Sequence, residues 1–200
     1  MKITNRYKNT LFPTYVFEID IEDYDKELLK TVVSEGIVLR TDPLTLTKST
    51  LHEDKRLDEF KKFVLDIHQD ILVTLGYSGQ ELEFAGMWGV EQKKHGYHRQ
   101  HYHPNNWMCG VFYIDTHEDD TIVFHDPRLR AGLIQPKTQK YNEFNTSINK
   151  FSSPEGKLYI FPGWLEHSVE PLTHDKTRVS MSWNIAIPKH LGCGYGCTNG

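Results

Sequence analysis

Two hydrophobic periods divide the chain. Between about residues 25 and 75 the apolar positions recur at spacings of three and four; beyond residue 80 they alternate. The first period predicts helices, the second half-buried strands. "DKELLKTVVSEG" (25–36) reads as a short helix, with Asp25 placed to cap it, Leu28, Leu29, Val32 and Val33 forming its stripe, and Gly36 ending it. From Glu53 to Leu75 a longer helix sets Leu57, Phe60, Val64, Ile67, Ile71 and Leu75 on one side, with Lys55, Lys61, Lys62 and Asp70 largely off it. His68 sits beside that stripe and reads as a partly buried structural histidine, and "GYSGQ" closes the helix. Upstream, "YVFEIDI" alternates as a strand.

After Gly79, "ELEFAGMWGVEQ", "WMCGVFYIDT", "TIVFHDP", "KLYIFPGW" and "RVSMSWNIAI" are short, aromatic and β-branched, and are separated by turn formers. No helical pattern of comparable length interrupts them. The expected fold is therefore mainly β, an antiparallel sandwich or barrel braced by the two upstream helices. "RAGLIQPKTQKYNEFNTSINKFSSPEG" is long, polar and irregular, and reads as an excursion near a functional mouth. One domain over 1–200 is expected: a helical support (1–79), a β core (80–188) and a flexible tail (189–200).

Composition narrows this picture only a little. Two hundred residues, 38% hydrophobic, suffice for one well-buried domain. There is no run of eighteen apolar residues, so no membrane span is expected, and the N-terminus lacks a signal pattern, so the expected location is cytoplasmic (a host cytoplasm if the chain is viral). A net charge of -4 argues against general nucleic-acid binding, though not against a local basic groove. Cys109, Cys193 and Cys197 are too few and odd in number for a disulfide framework. "CGYGC" with His190 before it reads as a metal clip or, given its glycines, as a flexible tail.

Candidate chemistry lies in the histidines. There are eleven, so most must be ordinary; His52, His117 and His174 lie in polar surroundings, and His95 and His98 read as solvated. "HRQHYHPNN" (98–106) differs. On a strand, His101 and His103 share a face, and Pro104-Asn105-Asn106 then ends the strand at a rim. The pair reads as two metal ligands or as a surface coincidence. A third ligand is sought in "GKLYIFPGWLEHSVEP", where His167 follows a Pro-Gly turn on a segment that could lie across from the first strand; its bland alternative is a sheet-edge histidine. In "RVSMSW", Arg178, Ser180 and Ser182 share one face. A lone arginine on a small, hydroxylic face suits a fork for a carboxylate, or a salt bridge to an acidic loop.

H-x-H, a distal histidine and R-x-S, in that order within a β-rich half, resemble the 2-oxoglutarate and Fe(II)-dependent oxygenase superfamily, whose fold is the double-stranded β-helix or jelly roll. More closely, "HYHPNNWMCGVFYI", "FHDPR", "GKLYIFPGWLEHSVEP" and "RVSMSWN" resemble an H-x-H-P group of oxygenases common in bacteria and their phages, over roughly residues 80–188. The resemblance implies Fe(II) held by His101 and His167. It also implies 2-oxoglutarate as co-substrate, with Arg178 and Ser180 on its distal carboxylate and Tyr113 near that end. Cys109 stands where relatives often have serine. The reaction implied is a dioxygenase reaction, commonly hydroxylation, consuming dioxygen and acting on an unidentified small molecule or protein side chain. The chain departs from the family at the acidic position of H-x-D/E, which here is His103. Either His103 completes a three-histidine site or Asp126 of "FHDPR" supplies the carboxylate, and the H-x-H alternation favours His103. Three imidazoles also suit Zn, Cu and Ni. A cupin-type metalloprotein without 2-oxoglutarate is the main alternative, since G-x5-P-x4-H around His167 fits its second motif; a non-catalytic β-sandwich binding module is a third.

Overall fold

The period-two segments form two antiparallel sheets in the computed structural model, which describes residues 4–128 and 133–188. In chain order the elements are β1 (Phe17–Asp20), α1 (Lys26–Gly36), β2 (Ile37–Thr41), β3 (Leu44–Thr47), α2 (Asp58–Thr74), β4 (Glu83–Gln92), β5 (His98–His101), β6 (Met108–Asp115), β7 (Thr121–His125), β8 (Ile148–Ser152), β9 (Lys157–Pro162), β10 (His167–Val169) and β11 (Arg178–Ala186). A seven-stranded sheet runs β1-β9-β6-β11-β4-β3-β2, and a four-stranded sheet runs β5-β10-β7-β8. This is the expected jelly roll, with α1 and α2 against the outer face of the larger sheet.

Alternation explains how one sheet serves two cores. Phe112, Ile114, Leu158, Ile160, Met181 and Trp183 meet Val33, Leu57 and Val64 of the helical layer. Their neighbours in sequence, Val111, Tyr113, Tyr159 and Phe161, turn inward to Ile122, Phe124 and Leu165. β6 and β9 are buried on both faces, which is why both read as almost unbroken apolar runs. Gly110 lies opposite Trp183 of β11, and a Cβ there would come within 2.4 Å of the indole. No side chain fits between that strand and the tryptophan.

α1 matches its prediction, with the Asp25 carboxylate accepting from the Leu28 N–H at 2.9 Å. The longer helix begins later than its periodicity suggests. Residues 51–57 form two 3₁₀ turns, because Asp54 is extended (φ -73°, ψ 120°) and its carboxylate accepts from the Arg56 N–H at 2.9 Å. His68 is fully buried rather than partly so. Its Nδ1–H donates to the Val64 carbonyl at 2.7 Å, and burial pushes its pKa down to about 4, so it packs as a neutral ring against Trp107 and Trp183.

Three strands come from the segment expected to be helical support: β1, and the β2–β3 hairpin that extends the larger sheet beyond β4. β8 falls in the stretch expected to be irregular. Four of its five residues are exposed, so no hydrophobic alternation marks it, and backbone pairing with β7 defines it. Asp115, at the end of β6, ties the layers together through Lys30 of α1 at 2.9 Å and Lys176 at 2.8 Å. No helix among the described residues is long and apolar enough to cross a membrane. His190, Cys193 and Cys197 lie outside the described residues.

Candidate metal centre and the adjoining cavity

β5 and β10 pair so that His101, the last residue of one, lies directly opposite His167, the first of the other. β5 stops at His101, so strand alternation does not place His103. A backbone clamp does. The His103 N–H donates to the Gly163 carbonyl at 2.8 Å, and the Gly163 N–H donates to the Trp107 carbonyl at 3.1 Å. A Cβ on Gly163 would sit 2.3 Å from the Asn106 carbonyl oxygen, so only glycine lets the two backbones approach this closely. Asn105 takes a left-handed φ of 65°, turning the 103–107 loop back into β6. The Pro162-Gly163 turn therefore launches the segment carrying His167 and holds the loop carrying His103.

The three rings form a tight triangle, with centroids 4.3 Å (His101–His167), 5.1 Å (His101–His103) and 5.2 Å (His103–His167) apart. One ring nitrogen from each lies within 4.8 Å of the others, a spacing that could hold one metal ion. Two rings are oriented from behind. His101 Nδ1 meets the Arg99 carbonyl at 2.7 Å and His167 Nδ1 meets the Leu165 carbonyl at 3.0 Å. A carbonyl can only accept, so both Nδ1 atoms carry the proton and both Nε2 lone pairs are free for a ligand bond. Burial pushes His167 down to about 3, against its bond to Leu165, with His101 and His103 adding to the shift; burial and then His101 push His103 to about 4. Neutral imidazole is the metal-binding form.

Asp126 takes no part in this triangle among the described residues. Its carboxylate accepts from the backbone N–H, Nε and Nη2 of Arg128 at 2.9, 2.9 and 2.8 Å, and those bonds hold its pKa below the usual carboxylate value.

From the histidines a cavity runs between the two sheets to Arg178, with Tyr113, Ser180 and Trp88 among its walls. Arg178 is 3% exposed. Its Nη1 donates to the Thr121 carbonyl at 3.3 Å, its Nη2 reaches the Tyr113 hydroxyl at 3.5 Å, and its guanidinium lies 4.8 Å over the Tyr113 ring. Its Nε has no partner. Among the described residues no carboxylate lies within ion-pair distance, so the expected alternative of a salt bridge to an acidic loop is not formed. Tyr113 is fully buried, and burial raises its pKa against the opposing pull of Arg178, keeping a neutral hydroxyl beside the cation. A buried cation without a counter-ion is costly, and an anion at this end of the cavity would offset that cost.

One lining residue escaped the sequence reading. His98, which flanks the H-x-H pair, was expected to be solvated. β5 contains a bulge: His101 faces His167 while His98 faces Val169, three residues against two. The bulge turns His98 into the cavity with His101. Burial first, then Arg178 and His101, lowers its pKa to about 4. His174, also expected at the surface, is largely buried and holds the Asp120 carboxylate at 2.9 Å. Trp88 lines the cavity, Trp107 packs under the helical layer and Trp164 is exposed.

A family model described as "Putative 2OG-Fe(II) oxygenase" matches residues 86–184. No curated protein matches the sequence. Among solved structures, the chain is similar to a prolyl-4-hydroxylase from Pseudomonas putida (11% identity, TM-score 0.59, covering 86% of this chain and 93% of that one). It is also similar to HygX from Streptomyces hygroscopicus, solved with nickel and 2-oxoglutarate (12%, 0.57, 86% and 83%). A third is the viral collagen prolyl hydroxylase of Paramecium Bursaria Chlorella virus-1, in complex with 2-oxoglutarate (14%, 0.55, 86% and 95%). At these identities the structures speak for the shared fold.

Proposed function

Residues 86–184 belong to the 2-oxoglutarate- and Fe(II)-dependent oxygenase superfamily, and from that premise we propose that His101, His103 and His167 hold the iron while Arg178, Ser180 and Tyr113 hold the distal carboxylate of 2-oxoglutarate. The observation that carries this reading is the buried Arg178, without a counter-ion, at the far end of a cavity whose other end is a triangle of imidazole nitrogens. A cupin-type metalloprotein would leave that arginine without a ligand.

The donor set fits the metal. Three imidazole nitrogens, two of them on rings oriented by backbone carbonyls, would hold Fe(II), a metal that this donor type suits. When bound, Fe(II), 2-oxoglutarate and dioxygen supply the oxidising chemistry, in which loss of CO₂ and formation of succinate accompany oxidation of a C–H bond of the substrate. The residues of the chain bind, orient and exclude water. Arg178 neutralises the distal carboxylate, while Tyr113 and Ser180 offer hydroxyl hydrogen bonds to it. Trp88 and Phe161, with rings 5.8 Å from His103 and 4.7 Å from His167, shield the ligands from solvent. Three neutral ligands leave the site one unit more positive than two histidines and a carboxylate would, which favours an anionic co-substrate. The product is most simply a hydroxylated small molecule or protein side chain.

Adding 2-oxoglutarate and Fe(II) without oxygen should produce the weak visible charge-transfer band of a bound keto acid. Metal analysis then identifies the third ligand: His103→Ala should lose iron, and Asp126→Ala should keep it. Iron kept by the first variant and lost by the second would reverse the assignment.

A further inference from the structure

The bulge in β5 points to one more recognition residue. An unbroken strand would turn His98 to the outer face of the smaller sheet; the extra residue between His98 and His101 brings its ring into the cavity instead. Bulges that re-aim a side chain next to a site are devices rather than defects, and the side chain delivered here is a polar one. Its ring centroid is 6.4 Å from that of His101, and its nitrogens do not belong to the converging metal-binding set. His98 and Arg178 line the same cavity, His98 from the smaller sheet and Arg178 from the larger one. After burial, Arg178 is the strongest influence on His98, ahead of His101, and no hydrogen bond from the protein acts on its ring.

We propose that His98 is a second recognition residue for the distal carboxylate of the co-substrate, donating an imidazole N–H to an oxygen that Arg178 holds. This rests on the reading of the cavity given above. The chemistry suits the location. A second cation beside Arg178 would be repelled whenever the cavity lacked an anion, whereas a neutral imidazole adds a directional donor without adding charge. Arg178 then supplies most of the attraction, and His98 fixes where the carboxylate must end.

The test is anaerobic titration of the Fe(II) protein with two probes, read by the charge-transfer band and by calorimetry. The probes are 2-oxoglutarate and 2-oxopentanoate, which has the same keto acid end and carbon chain but no distal carboxylate. His98→Phe should weaken 2-oxoglutarate about ten- to a hundredfold, the loss of one hydrogen bond to a charged group. It should leave iron per chain and 2-oxopentanoate binding unchanged. His98→Gln, which keeps an N–H, should retain most of the affinity for 2-oxoglutarate, and His98→Ala gives the same comparison as Phe if the larger ring does not fit. Wild-type affinity for 2-oxoglutarate in the Phe and Ala variants, equal losses for both acids, or loss of iron would each overturn the proposal. Absence of 2-oxoglutarate binding by the wild-type protein, or its survival in Arg178→Ala, would instead bring down the reading on which the proposal rests.

Discussion

Arg178 sets the demands of the fold against those of the proposed site. It is buried, its Nε is unpartnered, and no carboxylate neutralises it among the described residues. Replacing such a charge with an apolar side chain of similar length is often neutral or stabilising. Arg178→Met should therefore melt at or above the wild-type temperature in the absence of co-substrate. The same variant should bind 2-oxoglutarate about ten- to a hundredfold more weakly, with normal iron content. Calorimetry and metal analysis on one preparation test both halves, and a melting point several degrees lower would mean that the arginine is structural. Arg178 was legible in the sequence because a regular strand placed it with Ser180 and Ser182, opposite Val179 and Trp183, as the structure has it.

Among the elements, the turn at Pro162-Gly163 joins the two halves of the metal triangle. Gly163→Ala would drive a methyl group into the Asn106 carbonyl and displace the 103–107 loop, while leaving every strand its pairing partners. The expected result is a folded protein whose iron affinity falls about ten- to a hundredfold, the range seen when groups that orient a ligand are lost. Equilibrium dialysis against a metal buffer measures it; unchanged affinity would show that His103 does not depend on the clamp. Elements with a clean period were readable in advance: α1, β4, β6, β7, β9 and β11 lie where apolar alternation or the helical stripe puts them. Those that break the period were not. β8 buries too little to show a pattern, Asp54 interrupts a stripe that the helical period carries straight through, and nothing in the sequence marks the bulge in β5 that turns His98 inward. His103 was grouped with His101 by strand alternation, but β5 ends before His103 is reached, and a backbone clamp rather than alternation brings its ring beside His101 and His167.

Over the whole molecule, Asp115 joins α1 to the sheet and to the segment entering β11, where three lysines converge on one carboxylate. Burial alone would raise its pKa, but hydrogen bonds from Lys176 and Lys30 outweigh burial and lower it from 3.8 to about 2. A carboxylate whose folded-state pKa is depressed adds stability above its unfolded value and loses it as pH falls through the folded one. The Asp115 contribution should therefore be complete above about pH 4 and vanish towards pH 2. Denaturant unfolding of Asp115→Asn should show a deficit at neutral pH that narrows across this window. A deficit independent of pH would mean that packing, not charge, accounts for the loss.

The two-faced β11 carries a consequence for how the chain reaches this structure. Slipping that strand by one residue would exchange its faces: Val179, Met181 and Trp183 would enter the cavity, and Arg178 and Ser180 would press into the helical layer. Backbone pairing alone discriminates weakly against such a slip, since either register forms a ladder. On the proposed role of Arg178 the co-substrate does discriminate, because only the native register would present a guanidinium to its carboxylate. A ligand present at a hundred times its dissociation constant favours the state that binds it by about 2.7 kcal/mol. 2-Oxoglutarate would then act as a proofreader of assembly as well as a reactant, and yields of correctly folded protein should rise when it is supplied during refolding.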